Sequence, residues 1–228
     1  MKPEEDVRNE MKRPSESIGT SLVKSVWAAG VAEVATDVAE IALDAVLDEG
    51  VLKEIPVFGW FVKGYGVVST VRDRVFLKKL ATFFSGLGRV NEDEKNEFRE
   101  NIETDDAFCR KVGENIVLLL DRQDSFDKAY ILGKVFSGYL RGRIDYQTFL
   151  QLAAAIDRAF IGDLVNLETH YAKIESYDAK LGKPFAEFLD DATSQALYSA
   201  GLVRSEGYTE DTYHANELGS CLIRLLRE

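Results

Sequence analysis

The sequence predicts a mainly α protein: a multi-helix bundle of about seven helices with a long N-terminal helical hairpin and a small C-terminal unit containing a β-hairpin. Three observations carry that expectation. Apolar residues recur at three- and four-residue spacing through most of the 228-residue chain. Residues of N-cap type open nearly every periodic segment. The connections between segments are too short for the crossovers that parallel strands require.

Composition bounds the function before any motif does. The chain is 46% apolar and 29% charged, as expected of an ordinary globular protein. With 28 basic and 39 acidic residues its net charge is -11, which repels phosphate backbones and anionic lipid surfaces at long range. Nucleic acid is therefore disfavoured as a partner. Cys109 and Cys221 are the only cysteines, far apart and without metal-ligand spacing, which suits a reducing compartment. The N-terminal MKPEEDVRNEMKRPSES lacks the apolar core of a secretory signal. The expected location is cytoplasmic, with peripheral membrane contact as a variant. Residues 1–20 are expected to form a flexible polar tail, 21–181 the helical bundle and 185–228 the C-terminal unit, divided at Gly182, Lys183 and Pro184.

Ser21 to Asp48 reads as a helix with an acidic face of Glu33, Asp37, Glu40 and Asp44 opposite alanines, valines, Trp27 and Ile41, ended at Gly50. Ile55 to Val71, IPVFGWFVKGYGVVSTV, has one charge, Lys63, and three glycines. Pro56 suits a first helical turn, and one helix is expected from there to Leu87. Phe58, Phe61, Val62, Tyr65, Val68, Val75, Leu80 and Phe83 or Phe84 form its apolar stripe, with a small or polar strip of Gly59, Lys63, Gly66, Thr70 and Asp73 beside it. These two long helices are expected to fold back on each other as a hairpin.

A membrane-spanning helix needs about 20 predominantly apolar residues, more than this 17-residue run provides. The stretch is expected to be the central buried helix of the bundle, with Lys63 neutralised by Glu33, Asp37 or Glu40. Two alternatives stand beside it: a hairpin over 21–87 that inserts into a membrane conditionally, and an interface built on Gly59, Trp60, Lys63 and Gly66. Residues 72–90 then hold five basic groups against one acidic. Arg72, Arg74, Lys78, Lys79 and Arg89 are expected to be neutralised within the fold, or else to form a basic patch for nucleic acid.

Further helices are expected from Asn91, from Asp105 to Arg122, from Ser125 and from Asp145, each opened by a capping residue. Their inward residues are Phe108, Val112, Ile116, Leu119 and Leu120; then Ala129, Leu132, Val135, Phe136, Tyr139 and Leu140; then Phe149, Leu152, Ala153, Ile156 and Phe160. Gly142, Ile144 and Phe149 are spaced as in the second half of an EF-hand. The corresponding ligand positions, Ser137, Tyr139, Arg141 and Thr148, hold no carboxylate, so calcium is excluded and the segment reads as a helix–turn–helix corner. A helix is expected from Gly162 to Leu181, another from Phe185 to Ala200, and a last one from Glu217 to Leu226.

Leu197, Ala200, Gly201, Leu202, Val203, Tyr213, Asn216, Glu217, Leu218, Gly219 and Leu222 give residues 185–228 a pattern that resembles the last part of a winged-helix module. The resemblance implies a hairpin wing between two helices. Winged helices often bind DNA through a basic recognition helix, but Phe185 to Ala200 carries Glu187, Asp190 and Asp191 and no lysine or arginine. Protein contact or packing is the role it implies here. The run Ile55, Pro56, Gly59, Arg72, Asp73, Phe76, Lys78, Lys79, Leu80 and Phe83 loosely resembles uncharacterised bacterial helical proteins, which implies a bacterial or phage-related source and no activity.

Catalytic signatures are missing. His170 and His214 are the only histidines, and neither has a ligand or nucleophile at matching spacing. No nucleophile elbow, phosphate loop or dinucleotide fingerprint occurs. Cys109 has basic neighbours but no histidine near it in sequence, and reads as a core or boundary cysteine. The expectation is a non-enzyme without cofactor or metal, acting through contacts with a protein partner or with itself as a homo-oligomer. A membrane-inserting effector and a nucleic-acid binder are the alternatives.

Overall fold

The computed structural model describes residues 17–26, 28, 31, 55–65, 70–88, 93–94, 105–172, 191–206 and 212–227. They are mainly helical: α1 (Ile18–Val26), α2 (Pro56–Tyr65), α3 (Val71–Leu87), α4 (Asp106–Arg122), α5 (Phe126–Leu140), α6 (Tyr146–Arg158), α7 (Ile161–Val165), α8 (Asp191–Ala200) and α9 (Glu217–Arg227). Residues 167–172 are also helical. One antiparallel two-stranded sheet, β1 (Val203–Glu206) with β2 (Thr212–Ala215), pairs Val203 with Ala215 and Arg204 with His214. No helix among the described residues is long and apolar enough to cross a membrane.

Caps set the helix starts where short polar side chains meet orphan amides. Asp105 accepts from the amides of Ala107 and Phe108, Ser125 from Asp127, and Asp145 from Thr148 at 2.7 Å. All three were expected from sequence. The start of α2 is capped from outside its own chain segment. Pro56 removes one orphan donor, and the next, the Val57 amide, donates at 2.9 Å to Ser25 Oγ on α1, which itself donates to the Ser21 carbonyl.

Two expected helices are each divided. The helix predicted from Pro56 to Leu87 is interrupted before Thr70, whose backbone is extended and whose hydroxyl accepts from the Asp73 amide while the Asp73 carboxylate accepts from Thr70. This capping box starts a new helix at Val71. Beyond it Leu80, Phe83 and Phe84 are buried as expected, but Val75, expected inside, is exposed, and Phe76 and Leu77 are buried. The helix expected from Gly162 onward is broken at Asn166, whose side chain donates to the Gly162 carbonyl at 2.8 Å and competes with helix continuation. Phe160, expected on the buried face of α6, lies beyond the helix end and is 67% exposed.

Two glycine-to-glycine crossings hold the bundle. The most extensive helix contact among the described residues joins α3 to α5. There Gly86 faces Gly133; a Cβ on either would run into the partner backbone, at the Tyr130 or the Phe83 carbonyl oxygen. The α1–α4 crossing repeats the device: a Cβ on Gly113 would meet the Gly19 carbonyl, and one on Gly19 the Arg110 carbonyl and the Glu114 amide. Backbones this close leave flanking large side chains to interdigitate. Leu77, Leu80, Phe83, Phe84, Leu132, Val135 and Phe136 are completely buried around the first crossing. Ser137 Oγ adds a bond to the Leu87 carbonyl at 2.8 Å, satisfying an orphan acceptor at the end of α3.

One contiguous apolar cluster extends from Leu22 on α1 to Leu225 on α9. Leu225 packs against the bare face of Gly138 on α5, Arg158 at the end of α6 donates to the Ala200 carbonyl at 3.0 Å, and Arg227 pairs with Glu168 at 3.0 Å. The sheet and its flanking helices are therefore seated directly on α5 and α6.

Candidate functional site

An open groove of about 1190 Å³ runs where that seating leaves the two parts incompletely closed. One side is the turn after α5 and the first turns of α6, giving Arg143, Ile144, Asp145, Thr148 and Gln151. The other is the β1–β2 sheet with α9, giving Arg204, Ala215, Asn216, Glu217, Leu218, Ser220, Cys221 and Arg224. A smaller cleft of about 380 Å³ adjoins it, with Ser220 and Arg224 lining both.

The first wall owes its shape to two features read correctly from sequence. Gly142 has φ 65°, a left-handed conformation that lets the chain turn two residues after the end of α5. Ile144 then turns inward and is buried, and Asp145 caps α6. Behind the turn lies an aromatic knot. Tyr146 meets Phe108 edge-on at 5.4 Å and Tyr139 at 5.5 Å, Phe149 meets Phe136 at 5.3 Å, and Asn115 donates to the Tyr146 hydroxyl at 2.8 Å. Burial, with the neighbouring Tyr146 phenol, pushes the Tyr139 hydroxyl from 10.0 up to about 12.

That shift has a pH consequence with a definite sign. The folded value lies above the unfolded one, so the contribution of Tyr139 to stability is complete below pH 10.0 and is lost as pH rises through about 12. Tyr139→Phe is expected to flatten the stability–pH curve over that interval, measured by denaturant melts at stepped pH.

The second wall is fixed by a polar node around Asn216. Its Oδ1 accepts from the Gly219 amide at 2.8 Å as the α9 cap, its Nδ2 donates to the Gly201 carbonyl at 2.9 Å, and its amide donates to the Tyr171 hydroxyl at 3.3 Å. The Tyr171 hydroxyl in turn donates to the Leu202 carbonyl. Gly201 has φ 82°, which a side chain would strain. Gly219 has no room for a Cβ between the Leu202 carbonyl and the Tyr171 hydroxyl. Gly201, Asn216 and Gly219, singled out in the sequence, thus converge at one point and aim α9 along the groove.

The charged lining of the groove is weakly positive, three guanidinium groups against two carboxylates, in a strongly acidic chain. Three guanidinium groups reach it from three different elements. Its two carboxylates sit at helix starts: Asp145 accepts from the Thr148 amide, which holds its carboxyl below 3.8, and Glu217 lies in the first turn of α9, where it complements the helix dipole. Between them the lining residues Ile144, Ala215, Leu218 and Cys221 are apolar. Ser220 Oγ donates to the Asn216 carbonyl at 2.9 Å within the helix. Among the described residues no group of three or more His, Cys, Asp or Glu is placed to hold a metal ion.

The residues singled out for an interface in α2 fall elsewhere. Ile55, Val57, Phe58 and Gly59 are buried, Phe58 packs against Phe84 at 6.2 Å and Phe61 against Phe76 at 5.5 Å, and Trp60 is half-buried against Phe61. Of Lys63 only the backbone is described. Its expected pairing with Glu33, Asp37 or Glu40, and both Gly66 and Arg89, lie outside the described residues. The basic cluster on α3 faces the end of α4 and the start of α5. Arg72 pairs with Asp121 at 3.0 Å, Lys79 donates to the Asp121 carbonyl at 3.2 Å, and Lys78 sits 4.9 Å from the centre of the Phe126 ring. The groove arginines, Arg143, Arg204 and Arg224, were missed because they lie far from one another in sequence; only the turn glycine Gly142 marks the element of one of them. Searched against known proteins, the chain matches no family model, no curated protein and no solved structure.

Proposed function

We propose that the protein is a non-catalytic interaction protein whose groove between the α5–α6 turn and α9 receives a segment of another protein chain. We further propose that its C-terminal part is a winged-helix-like unit used for protein contact rather than for reading DNA. The observation that carries the reading is the groove itself: large, open, and lined by apolar residues together with three arginines, a residue type enriched at protein contact surfaces. For the winged-helix element, the order α8, Gly201 turn, β1–β2 hairpin and α9 is the support. The residues of α8 include no lysine or arginine with which to grip phosphates.

A photo-reactive residue introduced at Ser220, in the groove, tests the reading against one at Lys111, exposed on α4. Irradiated in cells of the source organism, position 220 is expected to give a discrete adduct with a protein, or with a second copy of the chain, and Lys111 none. Equal labelling at both positions, or none at 220, contradicts it.

A further inference from the structure

We infer that the segment received by the groove is acidic, an extended peptide with carboxylates alternating with apolar side chains; this rests on the groove being the contact surface proposed above. Three features of the groove converge on that occupant.

The first is charge. Arg143, Arg204 and Arg224 converge from three elements on one groove in a chain of net charge -11. A guanidinium presents a planar fork that matches a carboxylate in two parallel hydrogen bonds. The second is size. At about 1190 Å³ the groove exceeds the ~300–1,000 Å³ usual for small-molecule sites, and it is open to solvent. The third is what lies between the charges. Ile144, Leu218 and Ala215 give an apolar lining on which alternate side chains of an extended peptide settle, as successive side chains point to opposite faces at a period of two.

A nucleic-acid strand fits less well. Its charge is uniform, whereas Asp145 and Glu217 interrupt the groove's positive lining and the remaining chain is acidic. Discrete carboxylates can be placed against the three arginines and away from the two acids. The same alternation of sign gives the groove a means of fixing register and rejecting wrong partners.

Fluorescence anisotropy on the full chain tests this with three probes of equal length: a peptide alternating glutamate and leucine, one alternating lysine and leucine, and an oligothymidylate. The glutamate peptide is expected to bind, to weaken with added salt, and to lose about tenfold or more of its affinity on Arg224→Glu and on Arg204→Glu. The exposed control Lys111→Glu should leave binding unchanged. Both arginines are exposed, and a thermal melt of each variant verifies folding; should one variant unfold, Arg143→Glu takes its place. No binding of the glutamate peptide, binding unaffected by the arginine reversals, or tighter binding of either other probe overturns the inference. If the cross-link at position 220 forms with a protein while the glutamate peptide fails, the contact surface stands and only the acidic partner falls.

Discussion

Gly133→Ala is expected to destabilise the protein by about 2 kcal/mol, with the melting temperature falling by about 5 °C. In an open helix the same change would stabilise by roughly 1 kcal/mol, because alanine loses less backbone freedom on folding. Here the added methyl falls against the Phe83 carbonyl oxygen and 3.0 Å from the Gly86 Cα, and backbone atoms cannot rotate aside. Separating α3 from α5 to admit it loosens every side chain interdigitated around the crossing, and overpacking of this kind costs ~1–3 kcal/mol or more. The strain outweighs the propensity. Gly86→Ala meets the Tyr130 carbonyl in the same way, and the double variant is expected to cost less than the sum of the two, since the gap opened by one methyl admits the other. Urea unfolding of the four chains gives the cycle; an alanine that proves neutral or stabilising removes the close crossing from the fold.

Asn216→Ala is expected to cost about 2–4 kcal/mol. Loss of an N-cap side chain accounts for ~0.5–2 kcal/mol, and leaving the Gly201 carbonyl without its donor adds ~1–3 kcal/mol. Asn216→Asp separates the two, because it keeps an acceptor for the Gly219 amide and puts a carboxylate where the Gly201 carbonyl needs a donor. It should fall between wild type and Asn216→Ala. The effect reaches the groove: α9 carries Ser220, Cys221 and Arg224, and its direction is set at Asn216 and Gly219. Binding to the groove should weaken in Asn216→Ala even at temperatures where the chain remains folded. A variant as stable as wild type contradicts the node.

The helices were legible in the sequence wherever a cap and a periodic stripe coincided. Asp105, Ser125 and Asp145 each opened the expected helix, and Val112, Ile116, Leu132, Val135, Phe149 and Leu152 went inside as their spacing required. Reading failed where a local polar side chain overrode a stripe that could have continued. Thr70 with Asp73, and Asn166, made that difference through hydrogen bonds to nearby backbone, which periodicity does not register. Gly142 was legible as a turn, and Gly201 as part of the pattern that follows the helix ending at Ala200. Gly86, Gly133, Gly19 and Gly113 were not legible, because their role depends on a partner glycine far away in the chain, and close packing was sought instead at Gly59 and Gly66. The groove was out of reach for the same reason. Its arginines lie far apart in sequence, and nothing local to any one of them indicates that a turn, a strand and a helix bring them to one surface.

This protein is expected to meet its partner between the α5–α6 turn and α9. Hydrogen–deuterium exchange of the chain alone and of the cross-linked complex tests it most directly. Added protection is expected in residues 143–151 and 215–224, with α2 and the basic face of α3 unchanged. Protection confined to 55–65 or 71–79, with the groove exchanging as in the free chain, contradicts it.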